Sequence, residues 1–455
     1  MSNVFLSVRG RVLINVEALN MTESVGNYVK HRRVPIILPE TGYTTFFVPA
    51  ISGESIAHGY QHLLAQTALK EKLPVCNICA RGIFLKSTNR PVFVSQFRER
   101  LKELLNSKGS IENASDFERF VIENCVVEDV GGFLYAPGQR EAFEVDTDKE
   151  LINQLNVTEE NVKRTSNFFT GYMIPVREAL QSVVIEPQLH TRYALGTPFI
   201  EREQRGQMIY NVELSSAVYT FSFDLDTRFI GKTTYHYSSV GKSAMKDTVK
   251  RVEVSLDSFE KFAREMLFGA KKTRFLPIID WESMILAVSN DVWTVPNSFT
   301  VKYLTNSLEK AEKFRPEKLK LFVYVNREII SEISKGKAGI EVITKDLLKK
   351  VKEEITKKRK EMEEVFSDQK EIIESKFSEL TQDVLKDLIE REVHRLVEEK
   401  VKREIGNEKL LNELKGFLDK ADEKSNVEIV KVFDTLEEAI FEAVKYAKEI
   451  LVSSS

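Results

Sequence analysis

The stretch VFLSVRGRVLINVEAL, residues 4–19, decides the fold class that the sequence predicts. Val12, Ile14 and Val16 recur at every second position, which places them on one face of an extended strand. We therefore expect a long β-strand at the start of the chain, and the other elements are placed outward from it.

A basic cluster follows this strand in GNYVKHRRVP, residues 26–35. Lys30, His31, Arg32 and Arg33 are consecutive, and no acidic residue lies within the stretch. Taken alone, the cluster is either a solvated loop or a local site for a polyanion.

A helix is predicted next by SGESIAHGYQHLLAQTALKEKL, after the short strand-like runs IIL and TTFFVPAI. Ser52 is a suitable N-cap, and Glu54 favours the positive first turn. A strand, a basic loop and a capped helix in this order are typical of a phosphate-facing surface.

Further along, GQMIYNVELSSAVYTFSFDLDTRFIG is the longest β-like stretch, and SLDSFEKFAREMLFGAKK predicts a second amphipathic helix. WESMILAVSN and LKLFVYVN predict two more strands. Residues from about 72 to 170 form an apparent insertion that holds a helical piece and the glycine turn VVEDVGGFLYAPG. This order of elements predicts an α+β, ferredoxin-like core.

The composition changes near residue 335. From about 340 to 405 charged residues alternate in sign, as on a solvated helix or coiled coil. The apolar positions at helical spacing there are Phe377, Leu380, Val384, Leu388, Leu396 and Val401. The end, VEIVKVFDTLEEAIFEAVKYAKEIL, predicts a strand and a helix with Asp434 as N-cap. We expect one domain over 1–335 and a separate, mostly helical extension over 336–455.

The bulk composition restricts the function classes only weakly. The chain has 455 residues and a formal net charge of −3, so a polyanion site must be a local patch. Three cysteines suit a reducing compartment and form no disulfide framework. Arg9 and Arg11 interrupt the apolar N-terminal stretch, and no run approaches the roughly 18 apolar residues of a membrane span. We expect a cytoplasmic protein with no membrane partner.

Two motifs with metal-ligand spacing are incomplete. Cys76 and Cys79 form a lone CxxC, and a structural zinc site needs four ligands, for which only Cys125 and distant histidines remain. Buried or incidental thiols are the favoured interpretation. His58 and His62 lie four residues apart, but Gly59 stands where a zinc hydrolase has Glu. We therefore expect no metal.

Two further sets of residues raise the question of catalysis. VGKS and GKTT lack the earlier glycine of a P-loop. The neighbouring basic residues are either solvated or phosphate-binding, and they are Lys242, Lys246, Lys250 and Arg251. Asp224 and Asp226 alternate on one strand and share a face, but no third ligand is evident, which favours an exposed strand end.

Several other basic loops flank the predicted core. They contain Lys163 and Arg164 in VKRTSN, His190 and Arg192 in LHTRYA, and Lys271, Lys272 and Arg274 in KKTRF. Each could be a solvated patch, but together they fit nucleic-acid backbone binding better than catalysis. The aromatic signature of an RNA-recognition sheet is absent, so base stacking on the sheet is not supported.

Seven motifs in collinear order resemble one family. They are LINVEALNMTESVGNYVKHRR, VPAISGESIAHGYQ, VVEDVGGFLYA, KRTS, GYMIPVREA, NVELSSAVYTFSFDLD and VKYLTNSLE, and they span about residues 4–335. Together they resemble the crRNA-backbone subunit of archaeal type I-A CRISPR Cascade, in the DevR/Csa-type branch of the RAMP superfamily.

The resemblance implies an RRM-like palm with inserted finger and thumb elements. It also implies that copies polymerise along crRNA, contact its backbone, and present it for pairing with target DNA beside other Cascade subunits. It implies no cofactor. The region from about 340 to 455 is not explained by the resemblance.

The resemblance also implies an RNA-binding set. The matching residues are Asn20, Lys30, His31, Arg32, Arg33, Ser52, Gly53, Glu54, His58, Gln61, Gly131, Gly132, Phe133, Lys163, Arg164, Thr165, Ser166 and Met173, to which the basic loops add His190 and Arg192. Met173 and Ile174 would lie in the thumb hairpin, where an apolar wedge separates bases. A tight turn and its packing is an alternative role for Gly131 and Phe133.

The family comparison also bears on catalysis. Related type III subunits cleave target RNA with an Asp in the loop after the first strand, but here no Asp precedes Asp116 and only Glu23 is acidic early in that loop. We therefore expect no enzyme. The alternative is a metal-dependent ribonuclease that uses Asp224, Asp226 and Glu23.

Overall fold

The computed structural model describes residues 3–39, 42–85, 87–138, 146–192, 208–235, 245–329, 409–421 and 429–452. The chain divides into two compact units, Met1–Val325 with Lys420–Ser455, and Asn326–Asp419. Residues 409–419 of the second unit are helical, and the predicted charged helices at about 340–405 lie outside the described residues.

The first unit is a mixed α+β structure. Its strands are β1 (Phe5–Glu17), β2 (Met21–Val25), β3 (Tyr28–His31), β4 (Arg33–Leu38), β5 (Thr44–Pro49), β6 (Ser87–Thr88), β7 (Phe133–Tyr135), β8 (Val162–Arg164), β9 (Phe168–Thr170), β10 (Val184–Arg192), β11 (Met208–Asp226), β12 (Ile278–Ser289), β13 (Lys320–Val325) and β14 (Val430–Phe433). Its helices are α1 (Gly53–Lys70), α2 (Arg90–Asn106), α3 (Ala114–Asn124), α4 (Val126–Gly131), α5 (Asp146–Leu155), α6 (Thr248–Glu265), α7 (Tyr303–Lys313) and α8 (Leu436–Val452).

A large mixed sheet is built around β1. Its strand order is β14-β13-β12-β1-β11-β3-β2, with β9 and β10 also paired to β11. β1 pairs antiparallel with β11 on one side and with β12 on the other. The predicted long first strand is therefore confirmed as the centre of the sheet.

The predicted alternation of β1 stops at a bulge. Val12 and Ile14 are fully buried, but Val16 is 49% exposed and has a φ of 56°. The register with β11 shifts between Ile14 and Glu17, which turns Glu17 into the core in place of Val16. The prediction that Val16 shares the buried face is wrong for this reason.

Helices α1 and α6 enclose an aromatic core with the sheet. The Tyr60 ring lies 4.8 Å from that of Phe168 and 4.9 Å from that of Phe223, in edge-to-face contact. Gly59 is fixed by the same packing, because an added Cβ would lie 2.4 Å from the Cβ of Phe268. The glycine that directly follows His58 is thus required for packing.

The insertion between α1 and β9 has its own small sheet and core. β7 pairs with β6 and with β8, and helices α2, α3, α4 and α5 surround them. The Phe117 ring stacks on Tyr135 at 4.2 Å and lies 4.6 Å from the Phe93 ring. The predicted helical piece of this region is confirmed as α2.

The end of the chain differs from the predicted separate extension over 336–455. β14 pairs in parallel with β13, and Val430 is the partner of Leu321. The apolar side of α8 is buried in the main core through residues such as Ile440 and Val444. An open edge at β13 and an uncovered apolar helix face explain why this end folds with the sheet. Within the described residues, no helix combines the length and the apolar character needed to cross a membrane.

The predicted cap of α8 is displaced by one residue. The Thr435 hydroxyl accepts the backbone N–H of Glu438 at 3.3 Å, so Thr435 is the N-cap and Asp434 precedes it.

Candidate nucleic-acid interface

The end of β1, the start of β4 and the beginning of α1 converge at Asn20. The Asn20 side-chain oxygen accepts the Ser52 N–H at 2.6 Å, and its backbone oxygen accepts the Arg32 N–H at 2.9 Å. The Arg32 carbonyl in turn accepts the Ala50 N–H at 2.9 Å. Asn20 therefore fixes the basic cluster against the helix.

The basic cluster lies on strands rather than in a loop. Lys30 and His31 end β3, Arg32 connects the strands, and Arg33 begins β4. Lys30 is exposed, and the Arg33 side chain is 48% exposed with its guanidinium 3.0 Å from the Glu213 carboxylate. This alternating geometry sends neighbouring side chains to opposite faces.

Arg32 meets an aromatic residue from a distant segment. Its guanidinium donates to the Tyr172 hydroxyl at 3.3 Å and lies 5.9 Å from the centre of that ring. Tyr172 is itself 45% exposed. The pair presents a cation beside a π surface at the protein's exterior, an arrangement suited to a phosphate and an adjacent base or sugar.

His31 does not contribute to this surface. It is buried, its Nε2 contacts a Glu17 carboxylate oxygen, and Glu17 also accepts the Tyr219 hydroxyl at 2.9 Å. Burial lowers the pKa of His31, but the Glu17 hydrogen bond and charge outweigh burial, and the net effect is a raised pKa. The prediction that His31 contacts RNA is wrong, because Glu17 turns it inward.

The first turn of α1 agrees only partly with prediction. Ser52 accepts the Ser55 N–H at 3.3 Å, which confirms it as N-cap, and Glu54 and His58 are exposed. Gln61 is buried, so it does not belong to an exposed polar face.

Gly53 allows close approach of the segment that carries Tyr172. The Thr170 hydroxyl donates to the Gly53 carbonyl at 2.9 Å, and an added Cβ at Gly53 would lie 3.0 Å from the Thr170 carbonyl oxygen. A glycine here keeps the start of α1 next to this segment.

The segment GYMIP is not a thumb hairpin. Met173 is completely buried, and its backbone exchanges hydrogen bonds with Ile51. The N–H of Ile174 donates to the Thr220 hydroxyl at 3.1 Å, which holds the segment along β11. Met173 therefore packs in the core and cannot act as an exposed wedge.

The glycine turn and the KRTS motif form a second cluster. Gly132 is the C-cap of α4, with a φ of 73°, and an added Cβ there would lie 2.5 Å from the Arg164 carbonyl oxygen. Gly131 and Phe133 are buried, which supports their packing role. The exposed members are Lys163 and Thr165, while the Ser166 hydroxyl bonds the Phe168 carbonyl at 2.7 Å.

Arg164 is a structural residue. Its guanidinium is buried and contacts Asp129 at 2.5 Å and Glu118 at 2.9 Å. It also donates to the carbonyls of Phe229 and Lys232. A cation with two buried carboxylate partners is unavailable to a phosphate, so the prediction for Arg164 is wrong.

His190 lies on another strand edge. It sits on β10, which pairs with β11 along the edge opposite to β3. Its ring stacks on Tyr210 at 5.3 Å and meets the edge of Phe275 at the same distance. Arg192 ends β10, and its side chain lies outside the described residues. The described contacts of His190 do not include Arg32 or Tyr172.

A sequence profile of the family CRISPR-associated negative auto-regulator DevR/Csa2 matches residues 8–308. The chain belongs to this family. The resemblance predicted from the seven motifs is therefore confirmed. The matched residues include the end of β1, the start of β4 and the beginning of α1 described above.

Two relatives of this DevR/Csa2 chain come from Saccharolobus solfataricus. "CRISPR-associated protein Cas7/Csa2 1" is 36% identical over 65% of this chain and 82% of its own length. "CRISPR-associated aCascade subunit Cas7/Csa2 2" is 32% identical over 76% of this chain and 98% of its own length. Among solved structures, a chain of a CRISPR RNA-guided surveillance complex aligns with a TM-score of 0.35 and 8% identity, over 70% of this chain and 88% of that chain.

The carboxylates considered for catalysis are paired in this DevR/Csa2 chain. Asp224 receives two hydrogen bonds from Arg9, at 2.7 and 2.9 Å, and Asp226 receives three from the Arg228 side chain. Both aspartates are buried, so the predicted exposed strand end is wrong. The side chain of Glu23 lies outside the described residues.

The remaining basic residues are dispersed. Arg251 is buried in α6 and contacts Asp129, so it is neither solvated nor available to a ligand. The Lys250 ammonium donates to the Glu71 carbonyl at 2.7 Å, and that of Lys272 donates to the Leu267 carbonyl at 3.1 Å. Lys242 lies outside the described residues.

Tyr172 was missed by the sequence interpretation. Its partner Arg32 is 140 residues away, and no local periodicity links the two. The available signal was the exposed aromatic residue directly before the buried Met173 within a family motif.

Proposed function

We propose that this chain is a non-catalytic crRNA-binding subunit of a type I-A Cascade complex. The observation that carries the proposal is the contact of Arg32 with Tyr172 beside the beginning of α1, on a short segment that also carries the exposed Lys30 and Arg33. Its family and the name of one relative, an aCascade subunit, support this assignment.

The proposed contact is with the RNA backbone. Three cations on one short segment suit phosphates, and phosphate contacts carry no sequence information, as a subunit that holds any guide requires. Glu54 is exposed on the first turn of α1, where its carboxylate would repel a phosphate. We therefore assign the phosphates to the side of Arg32 and Tyr172 rather than to the helix axis.

The palm of the proposed subunit is β12-β1-β11-β9 with α1 and α6. These strands are antiparallel neighbours, and in chain order the elements run β1, α1, β9, β11, α6, β12. That is the βαββαβ order of a ferredoxin-like fold. The insertion between α1 and β9 would be the finger element.

The proposed thumb is the β10–β11 ribbon. Leu189 pairs with Asn211, and Thr191 pairs with Ile209, so Leu189 and Ile209 share one face of the ribbon. They are 64% and 43% exposed. We assign to them the apolar wedge that the resemblance had placed at Met173.

The β4–β5 hairpin is the proposed contact with a neighbouring copy. Ile37, Tyr43 and Phe47 on this hairpin are 60%, 75% and 70% exposed. Exposed apolar residues of this size are typical of interaction sites. In the proposed filament a second copy covers them, and the bound guide pairs with target DNA.

The test of the backbone contact is a triple variant, Lys30→Ala, Arg32→Ala and Arg33→Ala. We expect weaker RNA binding at low salt and a log–log salt slope that is less steep by about 2, at roughly 0.7 per phosphate on a single strand. Binding is measured by fluorescence anisotropy with two unrelated guide sequences across a salt series.

The matched control removes the same charge from α2 and the turn after it, with Arg100→Ala, Lys102→Ala and Lys108→Ala. These side chains are exposed, and the first two pair with Glu103 and Glu99. The control should keep the wild-type slope. Equal losses in both triple variants, or strong base preference with a flat salt response, would contradict the proposal.

The alternative function is a metal-dependent ribonuclease. Arg9 occupies both oxygens of Asp224, which disfavours that carboxylate as a metal ligand. We expect no cleavage of guide or complementary RNA on a denaturing gel with Mg²⁺ or Mn²⁺. Metal-dependent cleavage that Asp224→Asn abolishes would establish the enzyme instead.

A further inference from the structure

Three buried cysteines meet at the junction of α1 and the insertion. Cys76 follows α1, Cys79 lies in the short helix Cys79–Arg81, and Cys125 connects α3 to α4. Their sulfur atoms all lie within 4.8 Å of one another. The lone CxxC of the sequence therefore acquires a third thiol through the fold.

A carboxylate lies beside the cluster. The Glu128 Oε1 atom lies 3.4 Å from the Cys79 sulfur, and Glu128 is 4% exposed. The Gln96 side-chain N–H donates to the same oxygen at 3.1 Å. Such a donor orients a ligating carboxylate in known metal sites.

The spacing suits tetrahedral zinc. Zinc–sulfur bonds of about 2.3 Å place two ligating sulfurs about 3.8 Å apart, and a zinc–oxygen bond of about 2.1 Å places sulfur and oxygen about 3.6 Å apart. The 4.8 Å limit for the thiols and the 3.4 Å between Cys79 and Glu128 lie close to these values. Glu128 lies outside the group of ligand atoms within 4.8 Å of one another, so its carboxylate must turn toward the other two sulfurs to bind the same ion.

The kinds of side chain in the cluster also suit zinc. Cysteine sulfur and carboxylate oxygen are both zinc ligands, and the thiols release their protons when the metal binds.

We propose that Cys76, Cys79, Cys125 and Glu128 bind one zinc ion in a structural site. Four protein ligands leave no open position, which excludes a catalytic role for this ion. The metal would join the segment after α1 to α4, where the Val126 N–H already donates to the Pro74 carbonyl at 2.9 Å.

The experiment uses the full chain without a histidine tag, purified under reducing conditions. Mass-spectrometric elemental analysis should find about one zinc per chain, a count set by the single four-ligand site. Cys76→Ser and Cys125→Ser should each lose it. Val127→Ala is the matched control, because Val127 is buried in α4 between Cys125 and Glu128 in the chain but is not a ligand, and it should retain zinc.

Cobalt binding can be measured on the wild-type protein, so this test does not require that a substituted protein folds. Metal-free wild type titrated with Co²⁺ should develop thiolate charge-transfer absorption and intense d–d bands of a tetrahedral site, saturating at one equivalent. Glu128→Gln should keep the charge-transfer absorption and shift the d–d bands.

Three outcomes would overturn the site. One is fully reduced wild type, with three titratable thiols after unfolding, that takes up neither zinc nor cobalt. Another is unchanged metal content in both serine variants. The last is a disulfide within the cluster after purification under reducing conditions, since it would consume two ligands.

Discussion

Replacing Asp129 with Ala is expected to lower the free energy of unfolding by about 3–5 kcal/mol, the range for breaking a buried ion pair. Asp129 contacts the guanidinium of Arg164 at 2.5 Å and that of Arg251 at 3.1 Å, and it accepts the Gly231 N–H at 2.9 Å. Asp129 is completely buried, and both arginines are at most 3% exposed. Two cations would therefore lose a partner without gaining water.

Chemical denaturation measures this effect, with Glu103→Ala as the control. Glu103 pairs with Arg100 on the surface of α2, and its removal should change stability by no more than about 0.5 kcal/mol. If Asp129→Ala does not accumulate as folded protein, Asp129→Asn is measured in its place, and it should lose less stability because its amide oxygen still accepts hydrogen bonds from the arginines. Equal stability of Asp129→Ala and Glu103→Ala would contradict the assignment.

The elements with a strong local pattern could be predicted from the sequence. β1, α1, β11 and α6 repeat apolar residues with the period of their own structure over much of their length, and β12 and β13 are short apolar runs. Ser52 could be predicted as a cap because the cap bond joins residues three apart. Local chemistry was sufficient for these features.

The direction of basic side chains could not be predicted in the same way. His31 and Arg164 stand in basic runs, but each turns inward toward a carboxylate that another part of the chain supplies, Glu17 or Asp129. A run such as KHRR gives the charge of a segment, and only the strand register decides which members reach solvent. The candidate site therefore retained Lys30, Arg32 and Arg33 and lost the other two.

Long-range neighbours had no sequence signal. Tyr172 meets Arg32, Cys125 meets Cys76, and β14 meets β13, all across large separations in the chain. The predicted boundary at residue 335 was affected most. The pattern of α8 predicts an amphipathic helix but does not identify the surface that covers it.

Removing the end of the chain, residues 429–455, is expected to abolish the folded first unit. α8 buries large apolar residues in the main core, and they are Leu436, Ile440, Val444, Ile450 and Leu451. At about 1.5–3 kcal/mol for each buried side chain, the five together contribute about 8–15 kcal/mol, which is comparable with the typical 5–15 kcal/mol stability of a whole domain. The truncation also exposes the edge of β13 and the face of α6 against which α8 packs. Circular dichroism and size-exclusion chromatography should report unfolded or aggregated protein.

A pair of adjacent substitutions on α8 separates burial from a general effect of changing the helix. Ile440 is completely buried, and Ile440→Ala should cost about 2–5 kcal/mol through the cavity it leaves. Phe441 is 52% exposed, so Phe441→Ala should cost clearly less although it removes more atoms. The larger stability cost would then belong to the smaller side chain, and only the packing of α8 against the core explains that result. A truncated chain that unfolds cooperatively with wild-type stability, or a larger cost at Phe441 than at Ile440, would instead place α8 in an independent extension.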